Sequence, residues 1–230
     1  MQSNIKHIDY AYPNKLAEYE NQSTYLTILK CIRKYLPSSS RVLDVGCGRG
    51  ELMEYLSNAG YEVAGCDADK ECVRMGSRFG LVIHSKVEDL SIDSFTIPFD
   101  CIILSHSLEH FPEPKNVLKH LISFKPKIIV TSVPNPFWIP VILKAFLKKD
   151  IDYANTGHLY SWDWNHWKTF IEIGCSLEIL EWAYDCVTLP LPRKTRSLFL
   201  NMGLLPRLEQ GIFRHIFPRF CRSITTVIRV

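Results

Sequence analysis

Short apolar runs alternate with segments of helical spacing over most of the chain. The apolar runs predict five strands: Arg41 to Val45, Glu62 to Asp67, Leu81 to His84, Phe99 to Ser105 and Lys127 to Val133. Apolar residues three and four positions apart predict helices before and between these strands, over Lys15 to Leu36, Glu51 to Ala59, Lys70 to Arg78 and Lys115 to Phe124. Strands that alternate with helices indicate parallel βαβ units, so the pattern predicts a doubly wound α/β sheet.

The pattern changes after the fifth predicted strand. Three prolines interrupt the stretch SVPNPFWIP, and the following segment, Phe137 to Lys149, has an apolar face with lysines beside it. Such a segment fits either a helix packed on the protein's own core or a basic amphipathic helix at a membrane surface.

Two more strands are predicted in the last third of the chain. The segment 155 to 175 predicts a helix with Ser161 as its N-cap and Gly174 at its end. The runs Ser176 to Asp185 and Ser223 to Val230 predict the sixth and seventh strands. Between them, LFLNMGLLPRL and IFRHIF predict short amphipathic helices, because neither could bury a separate core.

A chain of 230 residues fits one α/β domain with additions. We expect a single domain over 1–230 with the following parts: a helical cover 1–37, a core 38–189, a cap insertion 134–158 within that core, a basic helical insertion 190–222 and the last strand 223–230.

The charge is unevenly distributed. The net charge is +3, but the stretch from Leu191 to Val230 has eight Lys or Arg residues against one acid, Glu209. The tail is therefore +7 and the rest of the chain −4. A basic tail indicates an anionic surface or ligand, and a solvated basic face is the commoner explanation.

The cysteines and the beginning of the chain bear on the cell compartment. Eight cysteines include no C-x-x-C pair, and several fall in predicted strands, which favours reduced thiols over disulfides. No run of eighteen apolar residues occurs, and Met1 to Tyr12 has neither a basic nor an apolar leader region. We expect a cytoplasmic protein, in solution or peripheral to the inner face of a membrane.

The stretch RVLDVGCGRG, residues 41 to 50, is the most informative one for function. A buried strand ends in a loop with Gly46, Gly48 and Gly50, and a helix follows. Glycines let the backbone approach a ligand, and the helix N-terminus offers unpaired N–H groups. The next strand ends in Asp67, at about the separation expected of an acid that binds a ribose.

This pattern resembles the first motif of the class I S-adenosylmethionine-dependent methyltransferases, hydrophobic-D-x-G-x-G-x-G. The resemblance covers roughly residues 20 to 185 and implies a seven-stranded, mostly parallel sheet with an antiparallel last strand. It implies S-adenosyl-L-methionine as cofactor, with Asp67 on the ribose hydroxyls and Val87 and Glu88 beside the adenine. The full set of cofactor contacts that it implies is Asp44, Gly46, Cys47, Gly48, Gly50, Asp67, Ala68, Val87, Glu88, Ser105 and His106.

A second motif, HSLEHFPEP at residues 106 to 114, follows the fourth predicted strand. It resembles the corresponding motif of small-molecule methyltransferases of the ubiquinone-biosynthesis O-methyltransferase type, in a corner that faces the methyl group. A hydroxyl near pH 7 is a poor nucleophile and benefits from a histidine base. We predict His110 as that base, Glu109 as its orienting group and His158 as a third catalytic group. The alternative is that Glu109 and His110 bond only loop backbone.

A divalent metal that activates the acceptor hydroxyl is the alternative to a histidine base, and the prediction does not include it. His106, Glu109 and His110 stand at i, i+3 and i+4, and His158 approaches from another loop. Small-RNA 2′-O-methyltransferases resemble this pattern with an acid at the first position. Histidine there changes ligand softness, so the prediction assigns no metal.

Three functions follow from these features. The first is O-methylation of a small, sugar-bearing or lipid-linked acceptor, with peripheral membrane contact through 137–149 and 191–222. Six aromatic residues are predicted to enclose that acceptor, with core packing as the alternative: Phe137, Trp138, Tyr160, Trp162, Trp164 and Trp167. The second is RNA 2′-O-methylation, which no RNA-binding module supports. The third is a non-catalytic binding protein with a methyltransferase fold.

Overall fold

The computed structural model describes residues 14–95, 98–147, 149 and 157–230, and in these residues seven strands form one sheet. The strands are β1 Arg41–Val45, β2 Glu62–Asp67, β3 Leu81–His84, β4 Cys101–Ser105, β5 Ile128–Pro134, β6 Glu178–Ala183 and β7 Ser223–Arg229. Their order across the sheet is β3-β2-β1-β4-β5-β7-β6.

The sheet is mostly parallel. Strands β1 to β5 pair in parallel, whereas β7 lies between β5 and β6 and is antiparallel to both. This confirms the predicted doubly wound seven-stranded fold with an antiparallel last strand. The predicted sixth strand, 176–185, is longer than the observed β6, which ends at Ala183.

The helices stand where the apolar spacing predicts them. Helix bounds are α1 Lys15–Tyr35, α2 Glu51–Asn58, α3 Lys70–Gly76, α4 Pro114–Ile122, α5 Ile139–Phe146, α6 Trp164–Lys168 and α7 Arg193–Asn201. Helix α6 continues as a π-helical turn, Thr169–Gly174, so Gly174 ends it as predicted. A further helix, α8 over 204–216, is π-helical over Arg207–Phe213.

The predicted N-cap of α6 is wrong. Ser161 lies outside the helix, and Asp163 is the cap, because its carboxylate accepts hydrogen bonds from the N–H groups of Asn165 and His166. Asp and Ser serve equally well at this position, so the residue type alone does not choose between them.

Successive strand residues pack on opposite faces of the sheet, as the pleat requires. On one face, Val42, Ile103 and Val130 join residues of α1 and α2. On the other face, Leu43 and Ile102 join residues of α4 and α6. With both faces covered, each strand is a nearly continuous apolar run, which is why the sequence signal for the sheet is strong.

Helix α5 differs from the other long helices in that none of its residues is buried. Ile139 nevertheless packs against the core and residues 140–142 are half-buried, whereas Phe146 and Leu147 are exposed, so the segment combines a contact with the core and an exposed apolar end. Part of the predicted cap, residues 148 and 150–156, and part of the predicted cover, residues 1–13, lie outside the described residues.

The basic insertion packs on α1. Leu205 is buried against Leu16 and Tyr19. The buried Arg196 makes ion pairs with Glu209 at 3.0 Å and with Glu20 at 2.9 Å, so part of the basic tail is neutralised inside the protein. No helix in the described part of the chain is long and apolar enough to cross a membrane.

Candidate active site

The glycine loop connects β1 to α2 in a left-handed backbone conformation. Gly46, Gly48 and Gly50 have φ of 71°, 53° and 84°. A Cβ on Gly46 would lie 2.8 Å from the Cβ of Ser107, whereas a Cβ on Gly48 would meet nothing within 4 Å. The loop therefore needs glycine for its backbone angles, and Gly48 faces open space.

Asp67 lies at the carboxyl end of β2 and faces this loop. Its Oδ2 accepts a hydrogen bond from the N–H of Gly48 at 2.8 Å, and its Oδ1 accepts one from the N–H of Asp69 at 2.9 Å. The N-cap of α3 is Asp69, as the sequence suggests, so Asp67 is not used to cap that helix. Its carboxylate stands at the edge of the sheet where open α/β folds bind ligands.

Two cavities flank the loop. The first, about 230 Å³, is lined by Asn21, Thr24, Tyr25, Asp44, Gly46, Cys47, Gly48, Glu51, Leu52, Ser105, His106 and Arg222. The second, about 480 Å³, is lined by Val45, Gly46, Cys66, Asp67, Ala68, Ser85, Lys86, Val87, Glu88, His106, Ser107, His110, Phe111 and Pro112. Gly46 and His106 line both, so the two cavities share a wall.

The cavities contain ten of the eleven predicted cofactor residues. Gly50 lines neither of the two. A Cβ there would lie 2.8 Å from the Cα of Gly76, so the structure assigns Gly50 to the contact between the loop and α3. That contact is a packing requirement that the G-x-G-x-G spacing does not reveal.

The first cavity has two acids in its wall, Asp44 and Glu51. Burial raises the pKa of Asp44 to about 7, and the neighbouring carboxylates of Glu51 and Asp67 raise it further. Burial also raises the pKa of Glu51. A cationic group bound here would favour the charged form of both acids.

The motif HSLEHFPEP forms a 3₁₀ turn, Leu108–His110, directly after β4. The N–H groups of Leu159 and Tyr160 donate hydrogen bonds to the carbonyl of Glu109, which holds the loop that contains His158 against this turn. The Nδ1 of His110 lies 3.1 Å from the carbonyl of Gly157, and the rings of His110 and His158 meet edge to face at 4.9 Å. The structure therefore brings all three predicted catalytic residues together.

Glu109 is fully buried, and no described residue donates a hydrogen bond to either of its carboxylate oxygens. Its Oε1 lies 3.7 Å from the Nδ1 of His106 and 3.8 Å from the Nε2 of His158. Burial raises the pKa of Glu109 to about 8 and lowers the pKa of His158. Glu109 is therefore largely neutral at pH 7, and an approaching cation would favour its ionised form.

His106 has an unusual backbone conformation, with φ of 52°. Its Nε2 lies 2.9 Å from the Oγ of Ser223, and its pKa is well below the usual value because the protein desolvates the ring. His106 therefore stands as a neutral ring between the two cavities.

The six aromatic residues that were predicted to enclose the acceptor differ in burial. Trp162, Trp164 and Trp167 are buried in the core, so the prediction that they enclose an acceptor is wrong and core packing is their role. Phe137 and Tyr160 are exposed, and the Nε1–H of Trp138 donates a hydrogen bond to Thr188.

Sequence reasoning missed the residues that line the first cavity from outside the two motifs. These are Asn21, Thr24 and Tyr25 of α1, Glu51 and Leu52 of α2, and Arg222. For Arg222 the sequence signal was the basic tail, which does not single out one residue. Its place in the site depends on the antiparallel insertion of β7.

A seven-stranded sheet with an inserted antiparallel strand and a glycine loop facing an acid is the architecture of class I methyltransferases. The structure is similar to the magnesium protoporphyrin IX methyltransferase of Synechocystis PCC 6803 with bound S-adenosylhomocysteine (TM-score 0.60, 16% identity, 94% of this chain and 87% of that one). It is also similar to the plantazolicin methyltransferase BpumL (TM-score 0.58, 16% identity, 93% of this chain and 88% of that one).

A family model described as a methyltransferase domain matches residues 17–187, so the chain belongs to the methyltransferase-domain family. This confirms the class I S-adenosylmethionine-dependent methyltransferase expected from the sequence.

Ubiquinone biosynthesis O-methyltransferases are among the relatives. The protein of Xylella fastidiosa is 34% identical over 116 residues, which are 46% of this chain and 47% of that protein. The protein of Haemophilus ducreyi is 36% identical over 89 residues, which are 34% and 38% of the two chains. The matches span about half the length of these curated relatives or less.

Proposed function

We propose that this chain transfers the methyl group of S-adenosyl-L-methionine to an oxygen of a small, sugar-bearing or lipid-linked acceptor. One observation carries the proposal: the buried Glu109, the exposed His110 and the half-buried His158 meet beside a cavity that the glycine loop and Asp67 also border. Methyl transfer from a sulfonium needs an acceptor held in line with the methyl group and a base for its proton.

The cofactor has room in the two joined cavities. A nucleoside in the larger one would place its ribose hydroxyls near Asp67 and its base near Val87 and Glu88. Its amino-acid end would then enter the smaller cavity beside Gly46 and Asp44. Asp67 accepts one hydrogen bond on each oxygen, from the N–H groups of Gly48 and Asp69, and the remaining lone pairs are free to accept from ribose hydroxyls.

His110 is suited to accept the acceptor's proton. A carbonyl oxygen only accepts hydrogen bonds, so the contact with Gly157 places the proton on Nδ1 and leaves the lone pair on Nε2. The imidazolium that forms carries the acceptor's former proton on Nε2 and keeps its Nδ1 proton on the Gly157 carbonyl. Glu109, whose carboxyl is largely neutral at pH 7, takes no proton in this step and is the orienting group beside His158.

A methyl-transfer assay tests the proposal. The protein is incubated with methyl-labelled S-adenosyl-L-methionine and, separately, with catechols, sugars and a lipid extract. We expect label in a product that survives mild alkali, as a methyl ether does. Alkali-labile label would indicate a carboxyl ester, and cofactor binding without transfer to any extract would favour a non-catalytic protein.

The same cluster fits a divalent metal. One ligand atom each of Glu109, His110 and His158 lies within 4.8 Å of the others, and both Glu109 oxygens are available as donors. A metal bound there would act as a Lewis acid that lowers the pKa of an acceptor hydroxyl. His106 is a less suitable metal ligand than these three residues, because its Nε2 is hydrogen-bonded to the Oγ of Ser223.

Melting curves separate the two versions of the site. If a metal is used, Mn²⁺ should raise the melting temperature of the wild type and not that of Glu109→Gln, and chelation should stop turnover. If His110 acts without a metal, Mn²⁺ should leave both melts unchanged and turnover should survive chelation.

We further propose that 137–149 and 191–222 contact an anionic membrane surface. Phe146 and Leu147 in the first segment are 80% and 65% exposed, and Ile216 and Phe217 in the second are 60% and 46% exposed. Asn135, just before α5, donates hydrogen bonds to the carbonyls at 219 and 221, so the two segments adjoin. Exposed lysine and arginine side chains stand among these apolar ones, as at an interfacial surface.

Vesicle sedimentation tests this contact. The double substitution of Phe146 and Leu147 by serine should lower sedimentation with phosphatidylglycerol vesicles several-fold, with little change in the melting temperature, because both side chains are exposed. Ile173→Ser, at another exposed apolar residue, is the control and should sediment like the wild type. Equal sedimentation of both variants would reject the contact.

RNA is the weaker alternative acceptor. Arg196 of the tail is neutralised in a buried ion pair with Glu209, and Arg229 forms a surface ion pair with Glu178, so the tail offers less unpaired positive charge than its +7 suggests. Salt-dependent retention of the protein on RNA would favour this alternative over the one proposed.

A further inference from the structure

Arg222 lies immediately before β7, at the edge of the sheet that carries the glycine loop. Since β7 is antiparallel to β5, its first residue, Ser223, pairs with Pro134 at the end of β5. The backbone of Arg222 is fixed on both sides, because its N–H donates to the carbonyl of Cys186 and its carbonyl accepts from the N–H of Asn135.

The guanidinium of Arg222 is held by neutral groups of α1. Its Nη1 donates to the carbonyl of Glu20 at 3.1 Å and to the Oγ1 of Thr24 at 3.2 Å, and its Nη2 donates to the Oδ1 of Asn21 at 2.6 Å. A guanidinium has five N–H donors, so these bonds leave two for another partner. No carboxylate of the described residues lies within ion-pair distance of it, although the buried Asp185 interacts with it electrostatically. The guanidinium lines the 230 Å³ cavity.

The same cavity carries two acids. Asp44 and Glu51 line it together with Arg222, and these acids form no ion pair within the described part of the chain. The wall therefore presents one cationic and two anionic groups around a space of about 230 Å³. A zwitterionic α-amino acid group complements such a wall, because each of its charges meets an opposite one.

We propose that Arg222 binds the α-carboxylate of the cofactor's amino-acid end, while Asp44 and Glu51 lie on the side of its ammonium group. This rests on the proposed function. It assigns to the basic insertion a part in cofactor selection, because the insertion delivers this arginine to the cavity. The guanidinium would distinguish ligands that carry the carboxylate from those that lack it.

Calorimetric titration with two ligands tests the proposal. The ligands are S-adenosylhomocysteine and its decarboxylated analogue, 5′-deoxy-5′-(3-aminopropylthio)adenosine. We expect the wild type to prefer the first by roughly 10- to 100-fold, the range for a charge-assisted hydrogen-bonded pair. Arg222→Gln should lose most of this preference by binding S-adenosylhomocysteine more weakly, with its affinity for the analogue unchanged.

Arg219→Gln is the matched control, because Arg219 is exposed in the same segment. It should keep the wild-type preference, and Arg222→Lys should keep part of it. A preference that survives Arg222→Gln would overturn the proposal. Equal loss of both ligands would also overturn it, since Arg222 would then only hold α1 in place. Failure of the wild type to bind either ligand would instead reject the proposed function.

Discussion

Two parts of the site border the same cavity but are built differently. We call residues 44–51 with Asp67 the glycine corner, and Glu109, His110 and His158 the Glu109 corner. The first comes from one continuous stretch, 44–51, and presents mainly backbone groups, with Asp67 added from the next strand. The second is made of side chains from two distant loops, which the backbone hydrogen bonds from Leu159 and Tyr160 to Glu109 hold together.

The two corners also differ in how their acids, Asp67 and Glu109, are hydrogen-bonded. Asp67 accepts two backbone hydrogen bonds, which fix the position of its carboxylate before any ligand arrives. Glu109 is buried and receives none from the described residues, and its pKa is raised to about 8. The glycine corner is therefore ready to bind, whereas the Glu109 corner is ready to change its protonation state.

The largest effect that separates the corners should come from His110→Ala. Loss of a general base typically lowers the rate by about 10² to 10⁴-fold, so the turnover number should fall by that order. The affinity for S-adenosylhomocysteine should change less than about twofold, because the glycine corner is untouched. His166→Ala, at an exposed histidine that pairs with Asp163, is the control and should keep full turnover. Unchanged turnover in His110→Ala would remove this residue from the mechanism.

Two glycine substitutions divide the glycine corner itself. In Gly50→Ala the new Cβ would lie 2.8 Å from the Cα of Gly76 at a φ of 84°, so we expect a loss of about 3 kcal/mol and a melting temperature lower by roughly 6–12 °C. In Gly48→Ala nothing lies within 4 Å, so the loss should be about 1 kcal/mol.

The two substitutions should have the reverse order of effect on ligand binding, with Gly48→Ala weakening it more than Gly50→Ala. The methyl group of Gly48→Ala faces the cavity and should weaken S-adenosylhomocysteine at least about tenfold. A Gly48→Ala variant that binds like the wild type would contradict the placement of the cofactor over this loop.

The pH dependence of stability should report Glu109. Its folded pKa of about 8 lies above the unfolded value of 4.5, so the unfolded chain releases the proton first as the pH rises. Its stabilising contribution is present below pH 4.5 and is lost between pH 4.5 and 8. Glu109→Gln, which does not titrate, should therefore gain stability over the wild type with rising pH, by on the order of 3 kcal/mol at pH 8.

Chemical unfolding in metal-free buffer at pH 5 and pH 8 measures this difference. An equal difference between the two proteins at both pH values would show that the carboxyl of Glu109 is not desolvated as the structure indicates.

The fold was predictable from the sequence because its signals are local. A strand buried on both faces, such as β4, reads as an apolar run, and the glycine loop requires glycine at positions of positive φ. The choice of Asp163 over Ser161 as a cap was not predictable, because both residue types cap helices equally well.

The site was predictable only where its residues share a motif. His110 and Glu109 stand in one short stretch, but Arg222 reaches the cavity because β7 inserts between β5 and β6. Burial of Trp162, Trp164 and Trp167 likewise depends on tertiary packing, which residue type does not decide.

Calorimetric titration of the wild type and of Asp67→Ala with S-adenosylhomocysteine tests whether the glycine corner holds the cofactor. We predict one site per chain in the wild type and an affinity lower by at least about 100-fold in Asp67→Ala, because two ribose hydroxyls lose a charged acceptor. An absence of binding by the wild type, or equal affinity in the two proteins, would contradict the assignment.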